Sequence, residues 1–459
     1  MKHEIKMTEG KFFPKLLIFS LPLMATGILQ LLYNAADMIV VGRFCGKLHL
    51  GAVGSTGSLV MLITTMFMGL SVGATISIAK YIGAKKHDEV SDVVHTSIHF
   101  GVIMGAVLGI FGFFTSTFFL KLMDSPEDII DLSSLYMKIY FLGMPASFVY
   151  NYGTAILRSV GDTKRPLIIL ALSGLLNVGL NVLFVMAFKM HVAGVALATD
   201  ISQTVSALAV IGCLIREKGP LHFSFKKLKI KGKALWEIIR IGIPAGIQST
   251  IFSFSNVIIQ STINALGSTV VAANAAAVNL EGFMYVAMNS VYHSAMSFTG
   301  QNYGAKMPEN FDKILYNCLA IVFMFGAGLG AVTGIFGRGL LYIYNTDPEV
   351  ISIGMERLLI FVFTYYLCGM NEVICGQLRG VGESVLPTVI SVFFICVFRL
   401  IWIYLVYPHY GTYKYIIISY PISWIMAFSV NMLAYYLVKK KIVKKLLNER
   451  EAIAKAPAM

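Results

Sequence analysis

Charged residues are scarce in this chain. Only 13% of its 459 residues are Asp, Glu, Lys or Arg, whereas 57% are hydrophobic. A soluble domain carries about 25% charged residues, because its surface faces water. The deficit therefore argues against an ordinary soluble fold, and the mean hydropathy of +0.74 agrees.

CxxC cysteine pairs and a recognisable cleavage-site pattern are also lacking. The six cysteines are scattered and none forms a CxxC pair, which argues against a disulfide framework or a zinc site. No small-residue cleavage site follows a short apolar core near the N-terminus. We therefore expect the first apolar segment to be retained rather than removed as a signal peptide.

Long apolar runs are abundant instead. A membrane helix needs about 20 mostly apolar residues, and such runs are too long for the strands of a membrane barrel. The sequence therefore predicts an all-α integral membrane protein with twelve transmembrane helices. The predicted spans are 14–40, 51–79, 93–120, 132–157, 166–188, 192–215, 236–264, 269–299, 314–340, 351–378, 386–407 and 411–438.

The net charge of +13 follows the predicted topology. With the N-terminus in the cytoplasm, 27 Lys and Arg residues lie on the inner side and 6 on the outer side. This asymmetry matches the positive-inside rule and predicts that both termini are cytoplasmic. The basic charge therefore indicates membrane topology and not nucleic-acid binding. Membrane lipid is an expected binding partner.

The chain contains an internal repeat. LRSVGDTKRP at 157–166 is answered by LRGVGESVLP at 378–387, and Gly83 by Gly304, each 221 residues later. Because each half carries six spans, an even number, the sequence predicts two parallel six-helix repeats. The predicted regions are an N-terminal lobe 1–215, a basic linker 216–235, a C-terminal lobe 236–438 and a basic cytoplasmic tail 439–459.

Each repeated decapeptide predicts a cytoplasmic turn between two helices. Gly161 suits the left-handed conformation at the end of span 4, and Asp162 or Thr163 can cap the start of span 5. Elsewhere, the four-residue spacing of Gly101, Gly105 and Gly109 predicts close helix contacts along span 3.

Acidic residues inside membrane spans are functional candidates, because burying a charge there costs about 2.5–3.5 kcal/mol. Asp37 in span 1 is the strongest, because cation and proton carriers need a carboxylate whose charge either ion can neutralise. Four acidic residues lie well within the spans: Asp37, Asp200, Glu281 and Glu372.

Several polar side chains predict an oxygen-rich cation-coupling pocket in the N-terminal half. Asn177 and Asn181 share one face of span 5, and Thr199 and Asp200 add polar groups from span 6. Oxygen ligands suit a hard cation such as Na⁺, and the Asp37 carboxylate also suits a proton. The alternative is a set of interhelical hydrogen bonds that only hold the bundle together.

Polar, aromatic and methionine side chains at helical spacing predict a substrate cavity for flat organic cations, which cation–π contacts and soft Met surfaces would hold. Ordinary packing of these residues is the alternative, and Glu372 could instead pair with a basic neighbour. The predicted cavity residues are Gln30 and Asn34 on span 1, Gln248 and Asn256 on span 7, Glu281, Tyr285, Met288 and Tyr292 on span 8, and Glu372 on span 10.

The motifs together resemble one transporter family over nearly the whole chain. LYNAADMIVVGRF at 32–44, LGAVG at 50–54, QNYG at 301–304 and the two LRxVG(D/E) phrases resemble the multidrug and toxic compound extrusion (MATE) family. The resemblance implies a V-shaped, two-lobed antiporter that expels organic cations in exchange for Na⁺ or H⁺.

The resemblance also implies a coupling site in the N-terminal lobe. In one branch of the family, an acidic residue of the first helix matches Asp37, an Asn–x₃–Asp pair of the fifth helix falls on Asn177 and Asn181, and a threonine of the sixth helix matches Thr199. This chain departs from that pattern, because its second carboxylate is replaced by Asn181, and Asp200 could supply the charge. Span 7 contains no acidic residue for the coupling site of another branch.

The sequence therefore predicts a secondary active multidrug exporter of amphipathic organic cations. We expect it to work as a monomer in the plasma (inner) membrane, by alternating access, with no cofactor other than the coupling ion. A lipid-linked oligosaccharide flippase is the first alternative and would need a large, strongly cationic cavity. A membrane enzyme is the second, but no nucleophiles or metal ligands cluster near one membrane face.

Overall fold

The computed structural model describes residues 5–123 and 125–455. The remaining residues, 1–4, 124 and 456–459, include the ends of the predicted N-terminal lobe and tail and lie outside the described residues. The regular structure of the described part is entirely helical. The predicted all-α class is therefore confirmed.

Seven α-helices cover the described residues of the first half of the chain. They are α1 (Phe12–Phe44), α2 (Lys47–Gly83), α3 (His87–Leu122), α4 (Glu127–Leu142), α5 (Met144–Ser159), α6 (Lys164–Val182) and α7 (His191–Arg216). A π-helical segment, Leu183–Ala187, directly extends α6.

Nine α-helices of very different length cover the second half as far as residue 455, where the described residues end. They are α8 (Gly232–Asn264), α9 (Ser268–Gly304), α10 (Phe311–Tyr344), α11 (Pro348–Val362), α12 (Tyr365–Gly380), α13 (Val385–Ser391), α14 (Phe398–Leu405), α15 (Tyr407–Tyr410) and α16 (Tyr413–Lys455). A second π-helical segment, Val392–Val397, joins α13 to α14.

The predicted count of twelve spans agrees approximately with the helices. In the described chain, ten helical stretches are long and apolar enough to cross a membrane, and α11 and α12 form an eleventh that is bent by 46°. The predicted span 132–157 consists instead of α4 and α5, which meet at Gly143. Pro145 explains this break, because proline ends a helix that precedes it and suits the first turn of the next.

The chain divides into two compact units. Unit 1 contains Ala25–Ile82 and Lys86–Gly246, and unit 2 contains Lys6–Met24, Gly83–Lys85 and the chain from Ile247 onward. These units differ from the predicted lobes 1–215 and 236–438 in three places, one of which is the short segment Gly83–Lys85 in unit 2. The first part of α1 belongs to unit 2, and the linker together with the first part of α8 belongs to unit 1.

Side-chain contacts explain why the first part of α1 belongs to unit 2. The Asn302 amide donates to the carbonyl of Met7 at 2.9 Å, and the hydroxyls of Ser20 and Ser294 lie 2.8 Å apart. These bonds fasten the first half of α1 to α9.

Close backbone packing holds the first part of α8 in unit 1. A Cβ atom at Gly73 would overlap the carbonyl oxygen of Ile238, so α2 and α8 approach each other more closely than side chains would allow. The Tyr81 hydroxyl also donates to Glu237 at 2.7 Å. The linker is tied to α3 as well, because the Ser224 amide donates to Nε2 of His95 at 3.0 Å.

The repeated decapeptides form matching turns, as predicted. Gly161 and Gly382 have φ values of +94° and +88°, which only glycine adopts readily. Of the two predicted capping residues, Asp162 is the one that accepts a hydrogen bond from the Arg165 amide, at 3.1 Å.

The close helix contacts predicted for span 3 are confirmed in unit 1. A Cβ atom at Gly105 would overlap the backbone of Pro145, and one at Gly109 would crowd the carbonyl of Phe141. These glycines let α3 pack directly against the junction of α4 and α5, which Asp200 also contacts.

The Gly73 contact predicts a specific loss of stability. We expect Gly73→Ala to destabilise the protein by about 1–3 kcal/mol, because the added methyl group overfills the α2–α8 contact. Gly57→Ala, on the same helix but with open space around it, is the matched control. Thermal unfolding of both purified variants tests this, and equal unfolding temperatures would contradict the packing argument.

Candidate functional site

Asp37 and Asn181 are directly hydrogen-bonded in unit 1. The Asn181 amide nitrogen donates to Oδ1 of Asp37 at 2.5 Å and to Oδ1 of Asn177 at 3.1 Å. Asn177 and Asn181 lie one turn apart on α6, so both side chains point to the same neighbouring helices. Three of the predicted coupling residues, Asp37, Asn177 and Asn181, are therefore connected by hydrogen bonds.

Thr199 extends this network to a third helix. The Asn177 amide donates to the Thr199 hydroxyl at 3.4 Å, and that hydroxyl donates to the carbonyl of Val195 at 3.1 Å. Asp37, Asn177, Asn181 and Thr199 thus connect α1, α6 and α7. We call these four residues the Asp37 network.

One oxygen of the Asp37 network has no partner. Asn181 is completely buried, and its Oδ1 accepts no hydrogen bond within the described part of the chain. A buried acceptor without a partner is costly unless a ligand satisfies it. The π-helical segment starts two residues after Asn181, and such segments are frequent at functional sites because they widen the helix locally.

Asp200 lies near this network but is bound elsewhere. Its carboxylate hydrogen-bonds to the backbone of Gly143, at the break between α4 and α5, and a Cβ atom at Gly143 would overlap it. Tyr136 and Tyr140 lie within electrostatic reach of both Asp37 and Asp200. Both carboxylates therefore lie near α4, and a role of Asp200 in coupling stays a prediction.

Three predicted cavity residues are exposed and lie outside any network described above. Gln30 and Asn34 are exposed on α1, and Asn256 is exposed on α8. Their role in substrate binding stays a prediction.

Glu281, in unit 2, forms a bidentate salt bridge. Arg357 Nε and Nη2 donate to its two carboxylate oxygens at 2.6 and 2.8 Å, and both side chains are buried. Paired in this way, Glu281 does not present a free negative charge to a substrate. Arg357 lies on α11 and stacks on the ring of Phe361, with 4.6 Å to its centroid.

Asn274 completes the surroundings of this ion pair. Its Oδ1 accepts from Arg357 Nη1 and from the Tyr413 hydroxyl, both at 2.8 Å. Its amide nitrogen donates to Gln260 at 3.0 Å. The Glu281 ion pair therefore joins α8, α9, α11 and α16 within unit 2.

Two of the cavity residues predicted on span 8, Met288 and Tyr292, pack against α12. Met288 and Tyr292 are buried, and a Cβ atom at Gly369 would overlap Met288. The Arg379 guanidinium donates to the Tyr292 hydroxyl at 2.8 Å and to Gln248 at 2.7 Å. This part of the predicted cavity lining thus surrounds an arginine.

Tyr285 and Glu372 are the remaining predicted cavity residues, of which Tyr285 is exposed and Glu372 is buried. Tyr285 is 42% exposed, and Glu372 lies within electrostatic reach of both Tyr285 and Arg379. Glu372 forms no salt bridge within 4 Å among the described residues.

The sequence analysis did not identify the arginines that lie beside the buried carboxylates of unit 2. Neither Arg357 nor Arg379 is among the site residues that the sequence predicts. In the structure Arg379 is buried in α12. The available signal was the presence of Glu281 and Glu372 in apolar spans, because buried carboxylates require partners.

One protein-family sequence model matches both halves of the chain. The MatE model matches residues 22–183 and again residues 244–405, which is more than half of the chain. The chain belongs to the MatE family. It is therefore a multi-span membrane transporter and not an enzyme, as the sequence predicted.

Relatives of this MatE protein are named for drug resistance. It is 28% identical to "Probable multidrug resistance protein YoeA" of Bacillus subtilis, over 96% of this chain and 97% of that protein. It is also 28% identical to "Probable multidrug resistance protein YpnP" of the same organism, over 85% and 88%.

A solved structure shares the fold. The structure titled "Crystal structure of MATE in complex with MaL6" matches with a TM-score of 0.89 at 23% identity, covering 96% of this chain and 99% of that chain.

The buried ion pair predicts a double-mutant result. We expect Arg357→Met to destabilise the protein by about 3–5 kcal/mol, because it leaves the Glu281 charge buried without a partner. Adding Glu281→Leu should restore most of the loss, because the pair is then replaced by apolar groups. Thermal unfolding of the single and double variants tests this; a double variant less stable than Arg357→Met would refute the pairing.

Proposed function

We propose that this protein is a secondary active multidrug exporter that exchanges amphipathic organic cations for Na⁺ or H⁺ by alternating access. It would act as a monomer in the plasma membrane with both termini in the cytoplasm. The observation that carries the proposal is the Asp37 network, in which a carboxylate within a membrane span accepts from the Asn181 amide and that amide also donates to Asn177. Ionisable residues in such positions mark ion pathways in transporters.

The chemistry of the network suits a small cation. Asp37 supplies a negative charge, and the Asn181 Oδ1 atom supplies a buried oxygen that has no partner among the described residues. Hard cations prefer several oxygen ligands, whereas a proton needs a single acceptor. The unpartnered Asn181 oxygen therefore favours Na⁺, with H⁺ as the alternative that the experiment distinguishes.

Coupling would act through the bond between α1 and α6. A cation at Asp37 competes for the carboxylate that now accepts from Asn181, so its binding changes how α1 is held against α6. The first part of α1 belongs to unit 2 and the second part, with Asp37, to unit 1. A change at Asp37 is thus carried along one continuous helix, which suits a two-state transporter.

Substrate recognition is better supported at Tyr285 and Glu372 than at Glu281. Glu281 is neutralised by Arg357, whereas Tyr285 is partly exposed and lies within electrostatic reach of Glu372. An aromatic face beside a carboxylate suits a flat organic cation. The drug-resistance names of the relatives support the same substrate class.

Loss of the Asp37 charge should abolish gradient-driven export. We expect Asp37→Asn to stop ethidium efflux from a pump-deficient host, because the variant cannot exchange its charge for a cation. Asp131→Asn, at an exposed position on α4, is the matched control and should export normally. Full efflux by Asp37→Asn would refute the proposed mechanism.

Separate Na⁺ and pH gradients in proteoliposomes identify the coupling ion. We expect an inward Na⁺ gradient at constant pH to drive ethidium export, because the network offers more than one oxygen. Na⁺ should also raise the unfolding temperature of the native protein but not of Asp37→Asn, because a ligand stabilises the state that binds it. Export driven only by a pH gradient would instead assign H⁺.

A further inference from the structure

Arg399 is a buried cation that the transport mechanism does not use. It lies on α14, is 5% exposed, and its guanidinium stacks on the Tyr420 ring at 4.0 Å and on Trp424 at 5.6 Å. Its Nε atom donates to the Ser423 hydroxyl at 2.8 Å. Its Nη2 atom is buried and has no hydrogen-bond partner in the described part of the chain.

The charges around Arg399 are unbalanced. Among the residues of unit 2 whose side chains the structure describes, three arginines are buried, Arg357, Arg379 and Arg399, but only two carboxylates, Glu281 and Glu372. Glu281 is held by Arg357, and Glu372 acts on Arg379. Arg399 forms no salt bridge with any described residue, and the ionised group that acts on it is Arg357, which has the same sign.

A buried guanidinium in this situation lacks a counter-ion. Removing a charge from water is costly unless it is paired and hydrogen-bonded. The aromatic faces of Tyr420 and Trp424 offset part of this cost, but they cannot accept the N–H of Nη2 in the plane of the guanidinium. An anion is the ligand that satisfies both the charge and this donor.

The internal repeat relates Arg399 to the Asp37 network. The repeat offset is 221 at the decapeptides and 222 at the start of the two family-model matches, so Arg399 corresponds to Asn177 or to the adjacent Val178. Asn177 hydrogen-bonds to Thr199 of the following helix. Arg399 correspondingly contacts the following helix, α16, through Tyr420 and Ser423. Corresponding parts of the repeat thus carry oxygen ligands in the N-terminal half and a cation in the C-terminal half.

We propose that Arg399 forms a site for a monovalent anion, the counterpart of the cation-coupling pocket with inverted polarity. The anion is either an inorganic halide such as chloride or the carboxylate of an organic solute, since both present one negative charge to Nη2. Ser423 is a positioning residue that orients the guanidinium through Nε. The site does not depend on the coupling ion at Asp37.

The helices around Arg399 contain the irregularities that would admit a ligand. The π-helical segment Val392–Val397 ends two residues before Arg399, and Pro421 lies within α16 directly after Tyr420. Both features interrupt regular helical hydrogen bonding.

Trp424 provides a direct reporter of anion binding. The chain has three tryptophans, so Trp236→Phe with Trp402→Phe leaves Trp424 alone, 5.6 Å from the guanidinium carbon of Arg399. The purified protein in detergent is titrated with chloride in place of sulfate at fixed Na⁺, and separately with benzoate. Benzamide, which is uncharged and similar in shape to benzoate, is the control.

We expect a saturable change of Trp424 emission with chloride, with benzoate or with both, and none with benzamide. Arg399→Gln should weaken the apparent affinity at least about tenfold, because a hydrogen bond between charged groups is lost. Arg399→Lys keeps the charge and should lose less. Saturation by chloride alone assigns an inorganic anion, and saturation by benzoate alone assigns an organic carboxylate.

A second measurement does not depend on the folding of any variant. The binding anion should raise the unfolding temperature of the native protein in proportion to the logarithm of its concentration. The proposal is overturned if neither anion raises the unfolding temperature of the native protein. It is also overturned if either anion raises the unfolding temperature of Arg399→Gln as much as that of the native protein. Normal ethidium efflux together with such a negative result would reject the anion site while leaving the exporter function intact.

Discussion

The cost of a charge in an apolar bundle determines the arrangement of polar residues in this protein. The Asp37 carboxylate accepts a hydrogen bond from Asn181, and the Glu281 carboxylate accepts hydrogen bonds from Nε and Nη2 of Arg357. Arg379 is surrounded by Tyr292, Gln248 and Thr388. Each bond joins different helices, so the requirement to satisfy a charge also determines which helix faces meet. Where a charge or a buried oxygen remains without a partner, a ligand is the expected complement.

The two halves share a backbone plan but differ in charge. Matching glycines at Gly161 and Gly382 form the same turn, and the family model covers both halves. Unit 1 nevertheless concentrates carboxylate and amide oxygens around Asp37, whereas unit 2 buries more arginines than carboxylates. A repeated fold thus supplies two frames in which different chemistry can be placed, and function depends on the side chains and not on the frame.

The N-terminal site could be predicted to a large extent because its spacing is local. Asn177 and Asn181 must share a helix face, whatever the surrounding structure. In the C-terminal half the same reasoning identified Glu281, Met288 and Tyr292 but not what they contact. Arg357 lies 76 residues from Glu281, and no local pattern indicates that α11 will turn it toward α9. Likewise, the assignment of the first part of α1 to unit 2 depends on bonds to Asn302 and Ser294, which are remote in sequence.

The sequence by itself determined the membrane class, the approximate number of spans, the internal repeat and the turns that join matching helices. Hydropathy, charge asymmetry and glycine geometry act over a few residues or one helix, so they can be read along the chain. The tertiary structure alone decided which helix halves pack together, which carboxylates are neutralised and which buried groups lack partners. Those outcomes depend on the rotation and register of whole helices against one another, because a hydrogen bond forms only when two faces meet within about 3 Å.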